Sequence, residues 1–291
     1  MCEIKFTVPE QYDGVTLRGF LRCFVKLSAR QTAKLKRLPG GIRRNGGQVA
    51  SPDALRAGDC VTLSYPEEGS GIPPVPLPIR IVYEDGDVLV VDKPASMPMY
   101  PCPGHDCDSL ANAEAFLQAA SGERRAFRPV YRLDRDTTGL VLLAKNPFAA
   151  SKLSGSIVKT YLAVCEGFFA GSGVFDSPIG LKPGHSIQRA VVPDGRRAVT
   201  RWRSLLAGER HSLVAVRLKT GRTHQIRVHF SAAGHPLAGD DMYGGSLALI
   251  KRQALHCAEI RFRHPVAGKA MRFLSPLPED MRLLVEAEKN K

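Results

Sequence analysis

The sequence predicts an α+β protein: a small, basic α/β module followed by a larger α+β domain. Three observations carry this expectation. Runs of β-branched and aromatic residues recur between residues 81 and 218 with few helical stretches among them, which disfavours a doubly wound parallel sheet. Residues 66–79 hold Pro66, Pro73, Pro74, Pro76 and Pro78 with Gly69 and Gly71, a composition that stops helices and central strands and marks a linker. Charge is uneven: residues 1–65 hold 11 Lys and Arg against 5 Asp and Glu, a balance of +6 within a whole-chain excess of +13. Domains are therefore expected at 1–65 and 80–291, joined by the linker 66–79.

In the first segment, Arg18, Arg22, Lys26, Arg30, Lys34 and Arg37 recur every three or four residues, the spacing of one helical face. Leu17, Phe20, Leu21, Phe24 and Leu27 take the opposing apolar positions. Ser28 suits an N-cap, so two short helices are expected, the second closing at Leu38-Pro39-Gly40-Gly41. Asn45-Gly46 signals a turn, and Leu55-Arg56-Ala57-Gly58-Asp59-Cys60-Val61 reads as a turn leading into a strand. A basic helical face is most often merely solvated, but the order of elements says more. Two basic helices, a short strand carrying Asn-Gly and then Leu-x-x-Gly-Asp-x-Val resemble the small RNA-binding module named after ribosomal protein S four. The resemblance implies phosphate contacts from Arg18, Arg22, Arg30, Lys34, Arg37, Arg43 and Arg44, which would position RNA without reading its sequence.

The larger domain opens with Ile81–Val91, two β-rich runs flanking Asp85-Gly86, a hairpin signal. Further strands are expected at Leu140–Ala144, Thr160–Cys165 and Ser212–Leu218, and helices at Leu110–Ala120 and Thr223–Ala233. Polar residues concentrate in Tyr131-Arg132-Leu133-Asp134-Arg135-Asp136-Thr137-Thr138, directly before an apolar strand. Such loops carry catalytic groups, although a salt-bridged turn would look the same. A second cluster runs from Lys219 to Phe230, with Arg222, His224 and Arg227 at a helix start and His224 and Arg227 three apart on one face.

Several function classes are disfavoured. No stretch approaches the roughly 18 apolar residues of a membrane span. Met-Cys-Glu-Ile-Lys lacks the basic segment and apolar run of a secretory signal. Seven scattered cysteines without a framework read as reduced thiols of a cytoplasmic protein. Cys102, His105 and Cys107 have no second cysteine pair to complete a metal site, and His224 and His229 are five apart rather than four. No Gly-rich phosphate or dinucleotide loop is present, so neither a metal nor an organic cofactor is expected. The net charge points to a polyanionic partner, most simply RNA.

Arg132-Leu-Asp134-Arg-Asp136-Thr-Thr-Gly-Leu140, Lys159-Thr-Tyr161 and Thr220-Gly-Arg-Thr-His-Gln-Ile-Arg227 together resemble the RluA-type pseudouridine synthases. Asp92-Lys93-Pro94, Pro103-Gly104-His105, Gly239-Asp240, Tyr243-Gly244 and Leu255-His256 extend the match from about Ile81 to Pro278. The resemblance implies a catalytic domain built on a mixed, largely antiparallel sheet. It implies that Asp134 acts on a uridine of structured RNA, breaking the bond from ribose to the ring nitrogen and rejoining ribose to carbon five. A buried carboxylate needs a fixed cation to stay ionised; the match gives that role to Arg227, with Arg222 as second candidate. Tyr161 is the residue expected to stack on the uracil and to help move its carbon-five proton. Arg132 is expected where the flipped base leaves the stack, Lys159 and His224 are candidates for contact with the RNA, and Asp136 and Lys159 are expected to support the loop. Tyr131 and Tyr100 stand where the family usually has histidine, and Thr138 where serine is commoner.

Two other readings compete. Asp134-x-Asp136-x-Thr138 matches the phosphoryl-transfer loop of the haloacid-dehalogenase superfamily, with Asp240 and Asp241 as magnesium ligands, although there the aspartate follows its strand. A non-catalytic RNA-binding protein is the other. The expected partner is RNA, ribosomal RNA ahead of transfer RNA, with no membrane and a monomeric chain.

Overall fold

The computed structural model describes residues 2–66 and 69–289. Residue 1, linker positions 67 and 68, and residues 290–291 lie outside the described residues, and with them the outer limits of the expected domains. Packing divides the chain into two units, one running to Gly69 and taking in Arg124–Ala126, the other made of Ser70–Glu123 and Phe127 onward.

The smaller unit contains β1 (Cys2–Thr7), α1 (Leu17–Cys23), α2 (Ala29–Lys36), β2 (Ile42–Arg44), β3 (Gly47–Gln48) and β4 (Cys60–Tyr65). Its strands form an antiparallel sheet in the order β1-β4-β2-β3. Ser28 Oγ accepts from the Gln31 N–H while Gln31 Oε1 accepts from the Ser28 N–H, a capping box that starts α2 where its N-cap was expected. Lys26 falls between the helices at φ +56°, so the basic residues form two short faces rather than one. Strand β1 had no sequence signal: only Ile4 of its six residues is buried, and pairing with β4 defines it.

The larger unit contains β5 (Arg80–Glu84), β6 (Val88–Lys93), α3 (Leu110–Ser121), β7 (Thr138–Ala144), α4 (Pro147–Leu153), β8 (Val158–Glu166), β9 (Ser172–Asp176), β10 (Ile179–Leu181), β11 (Arg189–Val191), β12 (Val199–Ala207), β13 (His211–Leu218), α5 (Gln225–Ala232), β14 (Leu255–Arg263), β15 (Ala270–Leu274) and α6 (Glu279–Lys289). Nine strands share one sheet in the order β5-β6-β7-β14-β8-β13-β12-β9, with β15 also on β14; β10 and β11 form a separate ribbon. Every pairing in the large sheet is antiparallel except β7 with β14. This is the expected α+β architecture. Strands β9 to β12, β14 and β15 and helices α4 and α6 add to the elements anticipated.

Two runs build the centre. Val88–Val91 and Leu140–Ala144 are almost wholly buried on both faces, which is why they read as continuous apolar runs rather than alternating ones. They join Tyr161, Val214, Val216, Ile226, Phe230 and Cys257 in one core. Gly139 is what allows β7 to lie beside β14. Its φ is +110°, and a Cβ there would stand 2.4 Å from the Cys257 carbonyl oxygen. The loop bearing Asp134 thus feeds into the middle of the sheet where β7 lies against β14. Among the described residues no helix is long and apolar enough to cross a membrane.

Candidate active site

The Asp134 loop is tied down from three sides. Lys93, 1% exposed, donates to the carbonyls of Pro94, Met97 and Arg135 at 2.8, 2.9 and 2.8 Å. The Met97 N–H donates to the same Arg135 carbonyl at 3.2 Å. Arg252, clamped on both Asp280 oxygens, donates to the Asp136 carbonyl at 3.3 Å, and Gln253 reaches Thr137 Oγ1. Tyr131 Oη donates to the Leu140 carbonyl at 2.7 Å, and Thr138 Oγ1 meets His256 Nδ1 at 2.9 Å. Leu133 is buried in the core, which leaves the neighbouring Asp134 facing the cleft. Burial pushes the Lys93 ammonium down to about 7, against the opposing charges of Asp136 and Asp134.

Arg227 reaches this carboxylate from α5. Its Nη1 lies 3.3 Å from Asp134 Oδ2, while Nε and Nη2 donate to the two oxygens of Asp240 at 2.7 and 2.8 Å. Asp240 is fully buried. The guanidinium also lies over the Tyr243 ring, 4.9 Å from its centroid. Burial works against the guanidinium's charge, yet the hydrogen bonds and charge of Asp240, with Asp134 beside it, hold its pKa above the ordinary value. Arg222 does not meet Asp134: its Nε donates to the Arg197 carbonyl at 3.1 Å on the cleft wall.

His224 departs from the expected helix. It sits ahead of α5 as the N-cap, in the left-handed region at φ +56°, a strained setting for a residue other than glycine. Gln225 imposes this bend by accepting from Thr220 Oγ1 and the Arg222 N–H and donating to Thr200 Oγ1. His224 and Arg227 therefore do not share a helical face; Tyr243 brings them together instead. Tyr243 Oη accepts from the Arg189 N–H at 3.0 Å and meets His224 Nδ1 at 2.8 Å. Burial pushes the His224 pKa below its ordinary value, with Asp134 opposing.

A cleft of about 840 Å³ opens over Asp134, lined by Tyr161, Lys159, Tyr131, Arg132, Arg222 and Tyr100. Tyr161 is 5% exposed, and burial, then the charges of Cys257 and Asp134, hold its phenol well above the ordinary value. Lys159 lies 4.6 Å from the Tyr131 ring centroid, and burial pushes its ammonium down. Arg132 is exposed at the rim. Tyr100, 41% exposed, packs edge-on against Phe127. Of the residues singled out from sequence, Asp134, Arg227, Tyr161, Arg132, Arg222, Lys159 and His224 thus converge here. Asp240, Tyr243, Lys93 and Arg252 complete the site; the first three stood in recognisable motifs, Asp240 with a role only in the phosphoryl-transfer reading and the other two with none, and Arg252 had no signal.

In the smaller unit, Arg18, Arg22, Arg30, Lys34 and Arg37 are exposed, and among the described residues none meets a carboxylate. Arg43 is instead paired with Glu3 and bonded to Ser64, and Arg44 donates to the Ala54 carbonyl with Asp59 at 4.0 Å.

One trio among the described residues has metal-like grouping: Asp85, Asp87 and His264. Its atoms serve the fold. Asp85 accepts from the Asp87 and Val88 N–H groups, Tyr83 Oη and His264 Nε2, while His264 Nδ1 accepts from the Ala267 N–H. The phosphoryl-transfer reading fails on geometry: Asp134 precedes β7 instead of ending a strand, and both oxygens of Asp240 are occupied by Arg227.

Comparison with known proteins bears on the same residues. The RNA pseudouridylate synthase family profile matches residues 87–232, spanning the Asp134 loop, Tyr161 and Arg227. The uncharacterized RNA pseudouridine synthase YjbO of Bacillus subtilis (strain 168) is 41% identical over 270 residues, covering 90% of this chain and 95% of its own. Ribosomal large subunit pseudouridine synthase D of Xanthomonas campestris pv. campestris is 36% identical over 262 residues, 83% of this chain and 79% of its own. Among solved structures, human RNA pseudouridylate synthase domain containing 1 matches at a TM-score of 0.56 and 24% identity, over 75% of this chain and 98% of that one, a likeness of fold.

Proposed function

The chain belongs to the RluA-type RNA pseudouridine synthases, and from that premise we propose that it isomerises uridines of large-subunit ribosomal RNA, acting as a monomer in the cytoplasm. One observation carries the site assignment: a single guanidinium, Arg227, joins Asp134 in an open cleft to Asp240 in the core. A carboxylate that must act on a flipped nucleotide needs a fixed position and a fixed cation, and Arg227 offers both. In the isomerisation the bond from ribose to N1 breaks, the ring turns, and ribose bonds to C5. C5 gives up a proton and N1 gains one, so no net oxidation or added atom is required. Asp134 is the group that engages the nucleotide, and Tyr161 supplies a ring on which the uracil rests. Arg132, exposed at the rim, occupies the place the base vacates.

The smaller unit is the RNA anchor in this proposal. Its S-four-like order of elements and the exposed cations Arg18, Arg22, Arg30, Lys34 and Arg37, on α1, on α2 and at the end of α2, support the reading, through phosphate contacts that carry no sequence information. Ribosomal RNA is favoured because relatives such as the Xanthomonas enzyme bear that substrate in their names.

The test is to incubate purified protein with bulk ribosomal and transfer RNA and to map pseudouridine at base resolution. A mark in large-subunit RNA that Asp134→Asn fails to make is the expected result. A mark confined to transfer RNA moves the substrate and overturns the ribosomal assignment. No mark on either RNA overturns the function.

A further inference from the structure

Beside the Asp134 cleft lies a second hollow of about 650 Å³, and its lining is unusual for its charge. Four arginines face it, Arg132, Arg189, Arg196 and Arg222, against one acid, Asp194. Among the described residues none of the four arginines forms a salt bridge. Arg196 and Arg132 are exposed, and Arg189 has its Nε buried without a hydrogen-bond partner. A buried guanidinium nitrogen left unpaired costs free energy. Like charges crowded around one hollow repel each other until an anion enters.

The hollow also has a fixed place relative to the chemistry. Arg132, Gly221, Arg222 and Thr223 line both it and the Asp134 cleft, so the two share a wall. Arg189 begins β11, whose ribbon is anchored to the Asp240–Tyr243 turn: the Arg189 N–H donates to Tyr243 Oη, and Gln188 Nε2 donates to the Met242 carbonyl. The same turn holds Arg227. An anion seated at Arg189 is therefore set at a fixed distance from Asp134 through short, bonded contacts.

We propose that this hollow seats the phosphodiester groups adjoining the nucleotide in the Asp134 cleft, with Arg189 and Arg196 as its own cations and Arg132 and Arg222 shared between the two. The inference rests on the pseudouridine synthase reading for the identity of the RNA. Planar guanidinium forks match phosphate oxygens in pairs, which suits them to fix the strand's register where the target base swings out. Specificity at this point is for backbone position, not for base identity.

The experiment uses the full chain and an RNA fragment containing a uridine that the wild type modifies. Binding is measured across a potassium chloride series for wild type, Arg189→Glu/Arg196→Glu, Arg189→Gln/Arg196→Gln and the control Arg203→Glu, an exposed strand residue outside the hollow. The glutamate pair is expected to raise Kd by about tenfold or more and to flatten the salt slope by about 1–2, as loss of one or two phosphate contacts requires. The glutamine pair should flatten the slope similarly with a smaller rise in Kd, and Arg203→Glu should move neither. Replacing the phosphates on either side of the target uridine by methylphosphonates should weaken the wild type and leave the double variants little changed. Equal salt slopes for the double variants and the wild type would overturn the hollow, as would methylphosphonate penalties that persist in the variants. Absence of pseudouridine from every wild-type reaction overturns the functional reading instead, and the charge-reversal series on bulk ribosomal RNA still decides whether the hollow binds phosphate.

Discussion

Arg227 and Asp240 form a paired, buried contact: both terminal oxygens of the carboxylate are taken by Nε and Nη2 at 2.7 and 2.8 Å, with Asp240 fully buried. Two nitrogens are spent on holding the guanidinium, and only Nη1 is left for Asp134 at 3.3 Å. The core thus sets the direction from which the cleft carboxylate is met.

Weakening that hold should show first in rate. Asp240→Asn keeps the shape but gives Arg227 one acceptor and an amide that repels it, so the guanidinium swings away from Asp134. Single-turnover pseudouridine formation should fall by about 10²-fold, the scale on which misplacing a reacting group by an ångström acts. Asp240→Ala should cost stability as well, about 3–5 kcal/mol, because it leaves a buried arginine without its partner. Urea unfolding of both variants separates the two effects.

Tyr161 distinguishes a ring from a proton carrier. Burial holds its phenol well above the ordinary value, so the resting hydroxyl carries its proton at neutral pH. Tyr161→Phe is therefore expected to keep the rate within about tenfold, whereas loss of general acid–base help would cost about 10²–10⁴. Tyr161→Ala removes the stacking face and opens a cavity in the core, costing on the order of 3–5 kcal/mol by the usual scale for large aromatic truncations.

The Asp134 loop was legible in sequence because its polar residues sit directly against Leu140–Ala144, an apolar run long enough to declare itself a buried strand. Ser28 and Asn45-Gly46 were legible for local reasons: Ser28 caps the Gln31 N–H three residues on, and Asn45 and Gly46 take the positive φ that a tight hairpin turn needs. What could not be read is long-range. Asp240 pairs with Arg227 thirteen residues away through a turn, Lys93 binds a carbonyl 42 residues off, and Arg252 links α6 to the Asp136 carbonyl 116 residues away. His224 was misplaced because three-residue spacing suggests a shared helical face, while Gln225 bends the chain before the helix begins. Strands β9, β12 and β15 largely alternate half-buried and exposed residues, a weaker signal than the continuous apolar runs at the sheet centre.

Gly139 is expected to tolerate no side chain. Alanine there meets the Cys257 carbonyl at 2.4 Å and must also hold φ +110°. The overpacking and the backbone strain each cost about 1–3 kcal/mol, and β7 would be pushed from β14 at the base of the Asp134 loop. Gly139→Ala should lower the urea midpoint and reduce activity together. A variant as stable as the wild type would mean the two strands can separate without loss.

Three histidines, His229 and His256 buried and His224 half-buried, give stability a pH dependence of definite sign. Burial pushes His224, His229 and His256 below the ordinary value near 6.5. His229 is held between Thr200 Oγ1 and the Ser177 carbonyl, His256 between Thr138 Oγ1 and the Ser275 carbonyl. As pH falls through 6.5 the unfolded chain takes up protons that the folded chain does not, so the unfolded state binds more and stability drops with falling pH. The slope is at most about 1.4 kcal/mol per pH unit for each histidine. The carboxylates with lowered pKa, such as Asp85 and Glu259, begin to act only below about pH 4.5, and Lys93, held near 7, acts with the same sign as the histidines but only above about pH 6, which leaves the span between mainly to the histidines. Trp202, the single tryptophan, packs on Phe169 and Phe175 in the larger unit and reports its unfolding by fluorescence. Urea midpoints followed this way should fall steadily from pH 6.5 to 5.0, and His256→Gln should flatten the slope by removing one of the three titrations. A midpoint that does not change over that range would mean the histidines take up protons equally in both states, contrary to their burial.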